Sequence, residues 1–334
     1  MDLSSDPAVL RRVFVSLGLA QEHDEVRALP LGGGVSSGIC RVDLRSRSYC
    51  VKQALPKLKV AKEWNVPIER VFSEIDYLRT VGEIVPGSVP QVIGQDDATK
   101  SFVMEFLGPE FRNWKAQLLD GDVDARIASR VGDVLGRIHS ATADRADLAR
   151  RFANDDNFYA IRLEPYLVES SRVHPNVAGV LLGLAARTAE TRRVLVHGDV
   201  SPKNVLVGPN RPVLIDAECA WFGDPAFDVA FCLNHFLLKA AHLRQETESL
   251  MSCFATMTRA YFAHVHWEPT RELERRAASL LPGLTLARID GKSPVEYLAE
   301  SARDQVRMLA IRLLRQQPTS LETIATFWTG GLTS

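Results

Sequence analysis

The sequence predicts an α+β protein with two lobes, a small one rich in β-strands and a larger, mostly helical one. Before residue 107, short segments alternate apolar and polar side chains, which is typical of half-buried strands. After residue 108, most apolar residues recur at the spacing of amphipathic helices. Gly108 and Pro109 interrupt the chain between the two patterns. We therefore expect a first lobe at residues 1–107 and a second at residues 108–334.

The composition indicates a globular protein: of 334 residues, 46% are apolar and 24% are charged. The formal net charge of -1 argues against a general attraction for nucleic acid or anionic lipid. No apolar run is long enough to span a bilayer, and the acidic N-terminus lacks a signal-peptide pattern. The five cysteines show no close pairing, as expected of free thiols in a reducing compartment. We therefore expect a cytoplasmic protein without a nucleic-acid or membrane partner, and leave open whether it forms a homodimer.

In the first lobe, the pattern predicts two helices and four strands. Residues 6–18 have the spacing of an amphipathic helix, and Pro67 opens a second helix that runs to about Val81. The polar stretch 45–48 is expected to turn between the first two strands. The four strands are expected at 39–44, 49–53, 89–93 and 101–106.

In the second lobe, helices predominate. Two short apolar runs, Val194–Val196 and Val213–Ile215, are embedded among them and predict buried strands. The helices are expected at 125–140, 176–190, 225–240, 246–263, 271–281 and 298–316.

Polar side chains follow each of these two short strands. His197-Gly-Asp199 comes after the first, Asn204 lies five positions later, and Asp216 lies twelve positions after that. Phosphoryl transfer from ATP needs such a set. Asp199 would orient the acceptor hydroxyl and accept its proton, while Asn204 and Asp216 would hold Mg²⁺ on the phosphates. His-Gly-Asp alone would also fit a simple turn, but the two spacings favour the catalytic interpretation, with His197 in a structural role.

The residues after Asp216 extend this motif. Glu218, two positions later, is either a second metal ligand or a hydrogen-bond partner of the loop. Asp224 precedes a proline and so fits a helix N-cap, although it is also kept as a candidate acceptor contact. Asp228 is expected to brace the catalytic loop by hydrogen bonds. Trp221 would either stack on a sugar or pack in the core.

A glycine-rich segment, Leu31–Gly38, lies before two of the predicted strands. Glycines let backbone N–H groups approach phosphates, and serine hydroxyls add donors. A glycine run is also typical of a plain hairpin loop, but its position ahead of a strand lysine favours phosphate binding. The candidate nucleotide contacts of this segment are Gly33, Gly34, Ser36 and Ser37.

Two further features of the first lobe would complete a nucleotide site. Lys52 is the one lysine of its strand and would contact the α- and β-phosphates, with an exposed lysine as the alternative. Glu74 is preferred over Asp76 as its partner, because it lies beside the buried face of the following helix. At the end of the last strand, backbone groups of Glu105 to Leu107 would hydrogen-bond an adenine base.

On these motifs the chain resembles the aminoglycoside phosphotransferase and choline kinase superfamily, relatives of the protein kinases. Within it, Val51–Pro56 and Asp216-Ala-Glu218, an Asp-x-Glu in place of Asp-Phe-Gly, are similar to the methylthioribose kinase branch. The resemblance implies a bilobal protein-kinase-like fold, ATP and Mg²⁺ as cofactors, and phosphorylation of a hydroxyl on a small metabolite. It also implies that Asp199 is the base and that Asp216 and Glu218 serve the metal.

The acceptor is expected to contact the C-terminal part of the helical lobe. A mild excess of arginine there favours a sugar, a polyol or a hydroxy acid over cationic aminoglycosides or choline. Arg288, Arg307 and Arg312 are the candidates, with a solvated helix face as the alternative for Arg307. The five-residue separation of Arg307 and Arg312 differs from the adjacent arginines of the methylthioribose kinase branch, as does the presence of Asn204.

We therefore expect an ATP-dependent phosphotransferase that acts on a small-molecule hydroxyl acceptor. Two alternatives remain: a kinase of aminoglycosides or other antibiotics, and a catalytically inactive nucleotide-binding module.

Overall fold

The computed structural model describes residues 6–32, 37–54 and 70–333. The chain divides into two compact units, Met1–Phe111 and Arg112–Ser334. The division therefore falls after residue 111, whereas the sequence pattern places it after residue 107. Within the described residues, no helix combines the length and the apolar character needed to cross a bilayer.

The first unit is built on a five-stranded antiparallel sheet with the order β1-β2-β3-β5-β4. Its strands are β1 (Arg27–Pro30), β2 (Ser37–Leu44), β3 (Arg47–Ala54), β4 (Val92–Asp96) and β5 (Ser101–Glu105). Helix α1 (Pro7–Ser16) precedes the sheet, and α2 (Arg70–Ile84) lies between β3 and β4 in the chain. The Asp6 side chain caps α1 by accepting the N–H groups of Ala8 and Val9.

The core of this unit lies between α1 and one face of the sheet. Leu10 and Phe14 of α1 are fully buried with Val42 of β2 and Val103 of β5. In the register of β3, Lys52 is paired with a residue of β2 on one side and a residue of β5 on the other. A central strand therefore fixes the backbone of Lys52, and the sheet positions its side chain.

The fourth strand differs from the sequence prediction. The pattern predicts a strand at 89–93, whereas β4 begins only at Val92 and continues to Asp96. Pro90 has no N–H to donate, so it cannot extend the ladder. The Gln91 carbonyl instead accepts the backbone N–H of Glu105 at 2.9 Å.

The second unit is mostly helical. The short strands form a β7–β10 pair and a three-stranded sheet with the order β6-β8-β9. The strands are β6 (Arg112–Asn113), β7 (Val194–Val196), β8 (Val205–Val207), β9 (Pro212–Leu214) and β10 (Trp221–Gly223). The helices are α3 (Trp114–Leu119), α4 (Ala125–Thr142), α5 (Ala146–Arg151), α6 (Asp155–Phe158), α7 (Glu169–Val173), α8 (Ala178–Glu190), α9 (Pro225–His242), α10 (Thr247–Phe262), α11 (Thr270–Asp290), α12 (Glu300–Gln316) and α13 (Leu321–Thr333).

Helices α4 and α10 approach almost to backbone contact. A Cβ atom placed on Gly132 would lie 2.4 Å from the Met257 carbonyl oxygen, and one on Gly136 would lie 2.9 Å from that of Tyr261. These two glycines therefore set the distance between the helices, because any side chain would push them apart. The close crossing brings Tyr261 of α10 next to His139 of α4.

Two parts of this unit depart from the sequence prediction. The predicted helix 271–281 is the first half of α11, which continues through Pro282 to Asp290. A proline costs an interior helix one hydrogen bond, but nearly every residue from Ala277 to Ile289 is buried, so packing offsets that loss. Between α6 and α7, Tyr159–Val168 forms a π-helical segment that the sequence pattern does not predict.

Candidate active site

The loop after β7 is anchored by a buried carboxylate. Asp228, in the first turn of α9, accepts the backbone N–H groups of His197 at 2.7 Å and Gly198 at 2.8 Å. His139 Nε2 lies 3.3 Å from the same carboxylate, and its Nδ1 lies 2.9 Å from the Tyr261 hydroxyl. The predicted bracing role of Asp228 is therefore confirmed, and a second layer fixes Asp228 itself.

Gly198 is required by the geometry of this loop. Its φ of +78° lies in the left-handed region, and an added Cβ would stand 2.7 Å from the Cys219 carbonyl oxygen. The loop can therefore turn tightly before Asp199 and still pack against the segment that follows Asp216.

Asp199 is buried and ion-paired. Its carboxylate lies 2.7 Å from the guanidinium of Arg162 and 3.3 Å from the ammonium of Lys203, and its side chain is 6% exposed. Burial alone would raise the pKa of Asp199, but the charge of Arg162 and then that of Lys203 outweigh it, so the pKa lies below its usual value. Its backbone N–H donates to His197 Nδ1 at 3.2 Å. His197, whose pKa is lowered by burial, thus holds the loop in its predicted structural role.

Arg162 is a site residue that the sequence reasoning missed. It projects from the π-helical segment, donates through Nε to the Gly198 carbonyl, and lies 5.8 Å and 5.7 Å from the ring centroids of Tyr166 and Phe231. Burial would lower its pKa, but the charge of Asp199 raises it above the usual value. The available signal was an arginine within an otherwise apolar run, Ala160-Ile-Arg-Leu163.

A backbone hydrogen bond beside the β8–β9 pair holds Asn204 next to the residue that precedes Asp216. The Asn204 side chain donates to the Asp199 carbonyl at 3.2 Å, and the Ile215 N–H donates to the Asn204 carbonyl at 3.0 Å. Asp216, next in sequence, has a φ of +66°, a strained conformation for a residue other than glycine. Such strain clusters at functional sites, where surrounding contacts maintain it.

Glu218 is also buried close to this loop. Its backbone carbonyl accepts the Asn157 side chain at 3.0 Å, and its carboxylate contributes to raising the pKa of Arg162. Asn204, Asp216 and Glu218 offer one carboxamide and two carboxylates, the hard oxygen donors that suit Mg²⁺. Among the residues described, no three His, Cys, Asp or Glu side chains form a preassembled metal cluster. An ion here would complete its shell with phosphate oxygens and water, as Mg²⁺ commonly does.

In the first unit, Lys52 and Glu74 form the ion pair that the sequence predicts, rather than Lys52 with Asp76. The ammonium lies 2.7 Å and 2.8 Å from the two carboxylate oxygens, and both side chains are buried. The backbone N–H of Glu105 already donates to the Gln91 carbonyl. The backbone carbonyl oxygen of Glu105 is therefore the group of this residue that could contact an adenine base.

The remaining nucleotide candidates are placed as follows. Ser37 is the first residue of β2 and is buried, and Leu107 follows β5 and is half-buried. Gly33, Gly34 and Ser36 lie outside the described residues.

A pocket opens beside Asp199 within the second unit. One wall is a face of α9 on which Phe231, His235 and Lys239 recur every four residues. Other lining residues come from the loop after β7, from α3, from the π-helical segment, and from the end of α11 with the segment after it. They are Lys115, Tyr166, Asp199, Ser201, Pro202, Lys203, Arg288, Ser293, Val295, Glu296 and Tyr297.

Of the five acceptor candidates from the sequence, Arg288 alone lines this pocket. Trp221 is instead core: it stacks on Phe158 at 4.3 Å, and its indole N–H donates to Asp155 at 2.8 Å. Asp224 caps α9 through the Ala226 N–H and pairs with Arg276 at 3.1 Å, which fits its N-cap alternative.

The other two arginines lie on α12. Arg307 is paired with Asp290, with distances of 2.7 Å and 2.9 Å to its two oxygens, and Arg312 is exposed. We therefore withdraw Trp221, Asp224, Arg307 and Arg312 as acceptor contacts, because packing, capping, ion pairing or exposure accounts for each.

Comparison with known proteins identifies the family of this chain. A family model described as the phosphotransferase enzyme family matches residues 27–273, most of the chain. The chain belongs to the phosphotransferase enzyme family. The matched range includes Lys52 of β3, Asp199 in the loop after β7, and Asp216.

The curated relatives of this phosphotransferase-family chain include methylthioribose kinases. That of Bacillus velezensis is 28% identical over 258 residues, covering 68% of this chain and 64% of the relative. That of Erwinia tasmaniensis is 28% identical over 251 residues, covering 66% of this chain and 62% of the relative. The chain thus matches less than two thirds of the length of these relatives.

Solved structures show the fold. A choline kinase from Cryptosporidium parvum superposes with a TM-score of 0.54 at 14% identity, covering 98% of this chain and all of that one. An ethanolamine kinase from Plasmodium vivax superposes with a TM-score of 0.53 at 13% identity, covering 97% of this chain and 86% of that one. The predicted kinase-like α+β fold class is therefore confirmed.

Proposed function

We propose that this protein transfers the γ-phosphoryl group of ATP to a hydroxyl group of a small metabolite. The observation that carries the proposal is the position of Asp199: a buried, ionised carboxylate on an anchored loop that lines a pocket. Membership of the phosphotransferase enzyme family supports the same chemistry. Asn204 directly precedes β8 and Asp216 follows β9, so both lie at the same end of this antiparallel strand pair.

Asp199 would orient the acceptor hydroxyl and accept its proton. Arg162 lowers the basicity of Asp199, which suits a reaction whose transition state is reached with little proton transfer. Arg162 also fixes the carboxylate direction, because it is bonded to the Gly198 carbonyl as well. Asn204, Asp216 and Glu218 would hold Mg²⁺, which neutralises phosphate charge when bound.

In the first unit, we assign the nucleotide contacts to Lys52, held by Glu74, and to the glycine-rich segment 31–38. Lys52 is already fixed by two contacts with Glu74 and so would need no rearrangement to contact a phosphate. The Glu105 carbonyl and Leu107 are proposed to face the adenine.

The alternatives that the sequence left open are less well supported. Four basic side chains against two carboxylates in the pocket disfavour polycationic antibiotics, which need acidic partners. An inactive module would have no need for the Asp199, Asn204 and Asp216 set that remains complete here. We therefore favour a metabolite kinase. The methylthioribose kinase relatives support an acceptor of about the size of methylthioribose.

The test is to combine an acceptor screen with an isosteric variant of Asp199. Wild-type protein, ATP and Mg²⁺ are incubated with a panel of hydroxylated metabolites, and phosphorylated products are detected by mass spectrometry. Asp199→Asn should lower kcat by about 10²–10⁴-fold, the usual contribution of a positioned general base. Nucleotide affinity, measured by calorimetry, should hardly change.

Asp147→Asn is the matched control, because Asp147 is exposed on α5 and its ion-pair partner among the described residues is the nearby Arg145. It should keep wild-type turnover. Full turnover in Asp199→Asn, or no transfer by wild-type protein to any hydroxyl acceptor, would contradict the proposed function.

A further inference from the structure

The charges that line the acceptor pocket do not balance. The basic side chains are Lys115, Lys203, Lys239 and Arg288, and the acidic ones are Asp199 and Glu296. Lys203 lies 3.3 Å from Asp199, and Lys115 forms an ion pair with Glu296. Two cations remain, Lys239 and Arg288, for which the described residues offer no carboxylate within 4.0 Å. The pocket therefore presents two positive groups that have no counter-charge from the described residues.

Lys239 is the more deeply buried of these two cations. It lies on α9, is 1% exposed, and its ammonium is 5.3 Å from the ring centroid of Tyr297. Burial, and then the charges of Lys115 and Arg288, lower the pKa of Lys239 to about 7. A buried ammonium without an ion-pair partner destabilises a fold unless something else compensates it. A negatively charged ligand in this pocket would provide that compensation.

Arg288 is positioned by the part of α11 that continues past Pro282. One terminal nitrogen donates to the Ser293 carbonyl and hydroxyl and lies 3.3 Å from the Tyr166 hydroxyl. Its Nε is buried and has no hydrogen-bond partner among the described residues. A guanidinium held on one side, with a buried donor unused on the other, suits a planar carboxylate.

We propose that the acceptor is a small hydroxy acid, whose carboxylate binds Lys239 and Arg288 while its hydroxyl contacts Asp199. This inference rests on the proposed phosphotransfer function and specifies its acceptor. Asp199 is itself anionic, so a carboxylate in the same pocket requires cations of its own. Neutral sugars and polyols would leave Lys239 buried without a counter-charge.

The reaction then balances without a further reactant. The hydroxyl oxygen forms a bond to the γ-phosphorus of ATP, and the bond from that phosphorus to the β–γ bridging oxygen breaks. ADP leaves with the electron pair, and the hydroxyl proton passes to Asp199. The products are ADP and a hydroxy acid phosphorylated on its hydroxyl group.

The same residues predict how acceptor binding depends on pH. Burial lowers the pKa of His235 well below its usual value and raises those of Cys232 and Tyr297, so all three stay neutral near pH 7. Burial would raise the pKa of Glu296, but its bond to Lys115 outweighs this, so Glu296 stays anionic. Lys115 and Arg288 are the other charged groups that face Lys239. The pKa of about 7 places the charge change of Lys239 itself in this pH range.

Because a carboxylate favours charged Lys239, the affinity for the acceptor should be steady below about pH 7 and fall above it. The decline should be absent in Lys239→Met, where no ammonium titrates.

The decisive experiment compares hydroxy acids with their neutral counterparts. The probes are glycerate and glycerol, erythronate and erythritol, and gluconate and glucitol, each assayed with ATP and Mg²⁺. Wild-type protein should phosphorylate at least one acid with a kcat/KM at least about tenfold above that of the matched alcohol, the minimum that a desolvated charge contact supplies. Lys239→Met should raise KM for that acid by about tenfold or more and change kcat less.

Two further variants separate charge from structure. Arg288→Lys keeps the charge but loses the planar fork, so its KM should lie between those of wild type and Lys239→Met. Lys292→Met is the matched control, because Lys292 follows α11 but is paired with Glu164 at 2.7 Å and does not line the pocket. Preference for the neutral alcohols, or an unchanged KM in Lys239→Met, would overturn the inference.

A binding measurement makes this result independent of turnover. Without ATP, saturating acid should raise the Tm of wild-type protein, the matched alcohol should not, and Lys239→Met should lose the shift. Turnover of alcohols alone leaves the proposed function standing and overturns the hydroxy-acid assignment. A Lys239-dependent Tm shift without turnover of any probe contradicts the proposed function and supports the carboxylate site. No shift with any acid overturns the site.

Discussion

Each of the two units contains a buried lysine, and the two lysines differ in whether a carboxylate lies beside the ammonium group. In the first unit, Lys52 is 3% exposed and lies 2.7 Å from a carboxylate oxygen of Glu74. In the second unit, Lys239 is 1% exposed, lines the pocket beside Asp199, and has no carboxylate within 4.0 Å among the described residues. Lys52 thus has a counter-charge within the protein, whereas the described part of the chain supplies none for Lys239.

The difference indicates two ways of using a buried cation. A pair such as Lys52–Glu74 is preorganised, because the carboxylate fixes the ammonium before any ligand arrives. An ion pair of this kind is costly to break, since removing one charge leaves the other buried. An unpaired cation such as Lys239 is costly to keep, and a ligand of opposite charge gains affinity by removing that cost. Stability measurements on the two lysines can therefore test the comparison without any knowledge of the acceptor.

The largest effect is expected at the paired lysine. Lys52→Met should lower the free energy of unfolding by about 3–5 kcal/mol, because Glu74 is then a buried charge without its cation. Denaturant unfolding monitored by circular dichroism would measure the loss. The double variant Lys52→Met with Glu74→Leu should recover part of it, since no lone charge remains.

Arg79→Met is the matched control for this prediction, because Arg79 is an exposed cation on the same helix as Glu74. It should change stability by no more than about 0.5 kcal/mol. Equal losses in Lys52→Met and Arg79→Met would mean that the Lys52–Glu74 pair contributes nothing specific.

A smaller effect of opposite sign is expected at the unpaired lysine. Lys239→Met should raise the free energy of unfolding by about 1–4 kcal/mol near pH 7, because it removes a buried charge and keeps the volume. The folded pKa of about 7 lies below the ordinary value near 10.4, so between these values the unfolded chain binds more protons. The ionisation of Lys239 therefore makes the free energy of unfolding of the wild-type protein increase as the pH rises from about 7 to about 10.

The difference in the free energy of unfolding between Lys239→Met and wild-type protein should accordingly be largest at pH 7 or below and should shrink toward pH 10. Lys292→Met, which removes a cation already paired with Glu164, should give no such gain. Destabilisation by Lys239→Met would show that Lys239 supports the fold, and the contrast with Lys52 would fail.

Sequence alone predicts much of the fold where local pattern and tertiary structure agree. The spacing in α4 and α9 predicts both helices to within about two residues, because each carries its own apolar face and start signal. Pattern fails where tertiary packing overrides it. Pro282 predicts a helix end, yet α11 continues because its second half is buried. The π-helical segment Tyr159–Val168 has no local signature, since it depends on packing against the rest of the unit.

The same limit applies to the site. Asp199, Asn204 and Asp216 are predictable because their spacing follows from two short strands with polar ends. The Lys52–Glu74 pair follows from one strand lysine and one buried helix face. The pocket wall does not follow, because it assembles residues that are distant in the chain. Arg162 and Lys239 carry only a weak signal, a single cation within an apolar run.

The smallest expected effect concerns the paired carboxylate that shares the pocket with Lys239. Asp199 is active as the carboxylate, so kcat/KM should fall as the pH drops through its pKa. Arg162 holds that pKa below its usual value, and Arg162→Met removes the larger of the two stabilising charges. The acid limb of the pH profile should therefore move to higher pH, by about one unit or more.

The position of this limb on the pH axis does not depend on how much of the variant folds, so it separates an electrostatic role from a purely structural one. Arg172→Met is the control, because Arg172 is exposed on α7 and, within the described part of the chain, forms its ion pairs with Glu164 and Glu169. Its acid limb should coincide with that of wild type. If the limb stays in place in Arg162→Met as well, then Lys203 alone keeps Asp199 ionised. The contrast with Lys239 would then rest on one counter-charge at 3.3 Å rather than two.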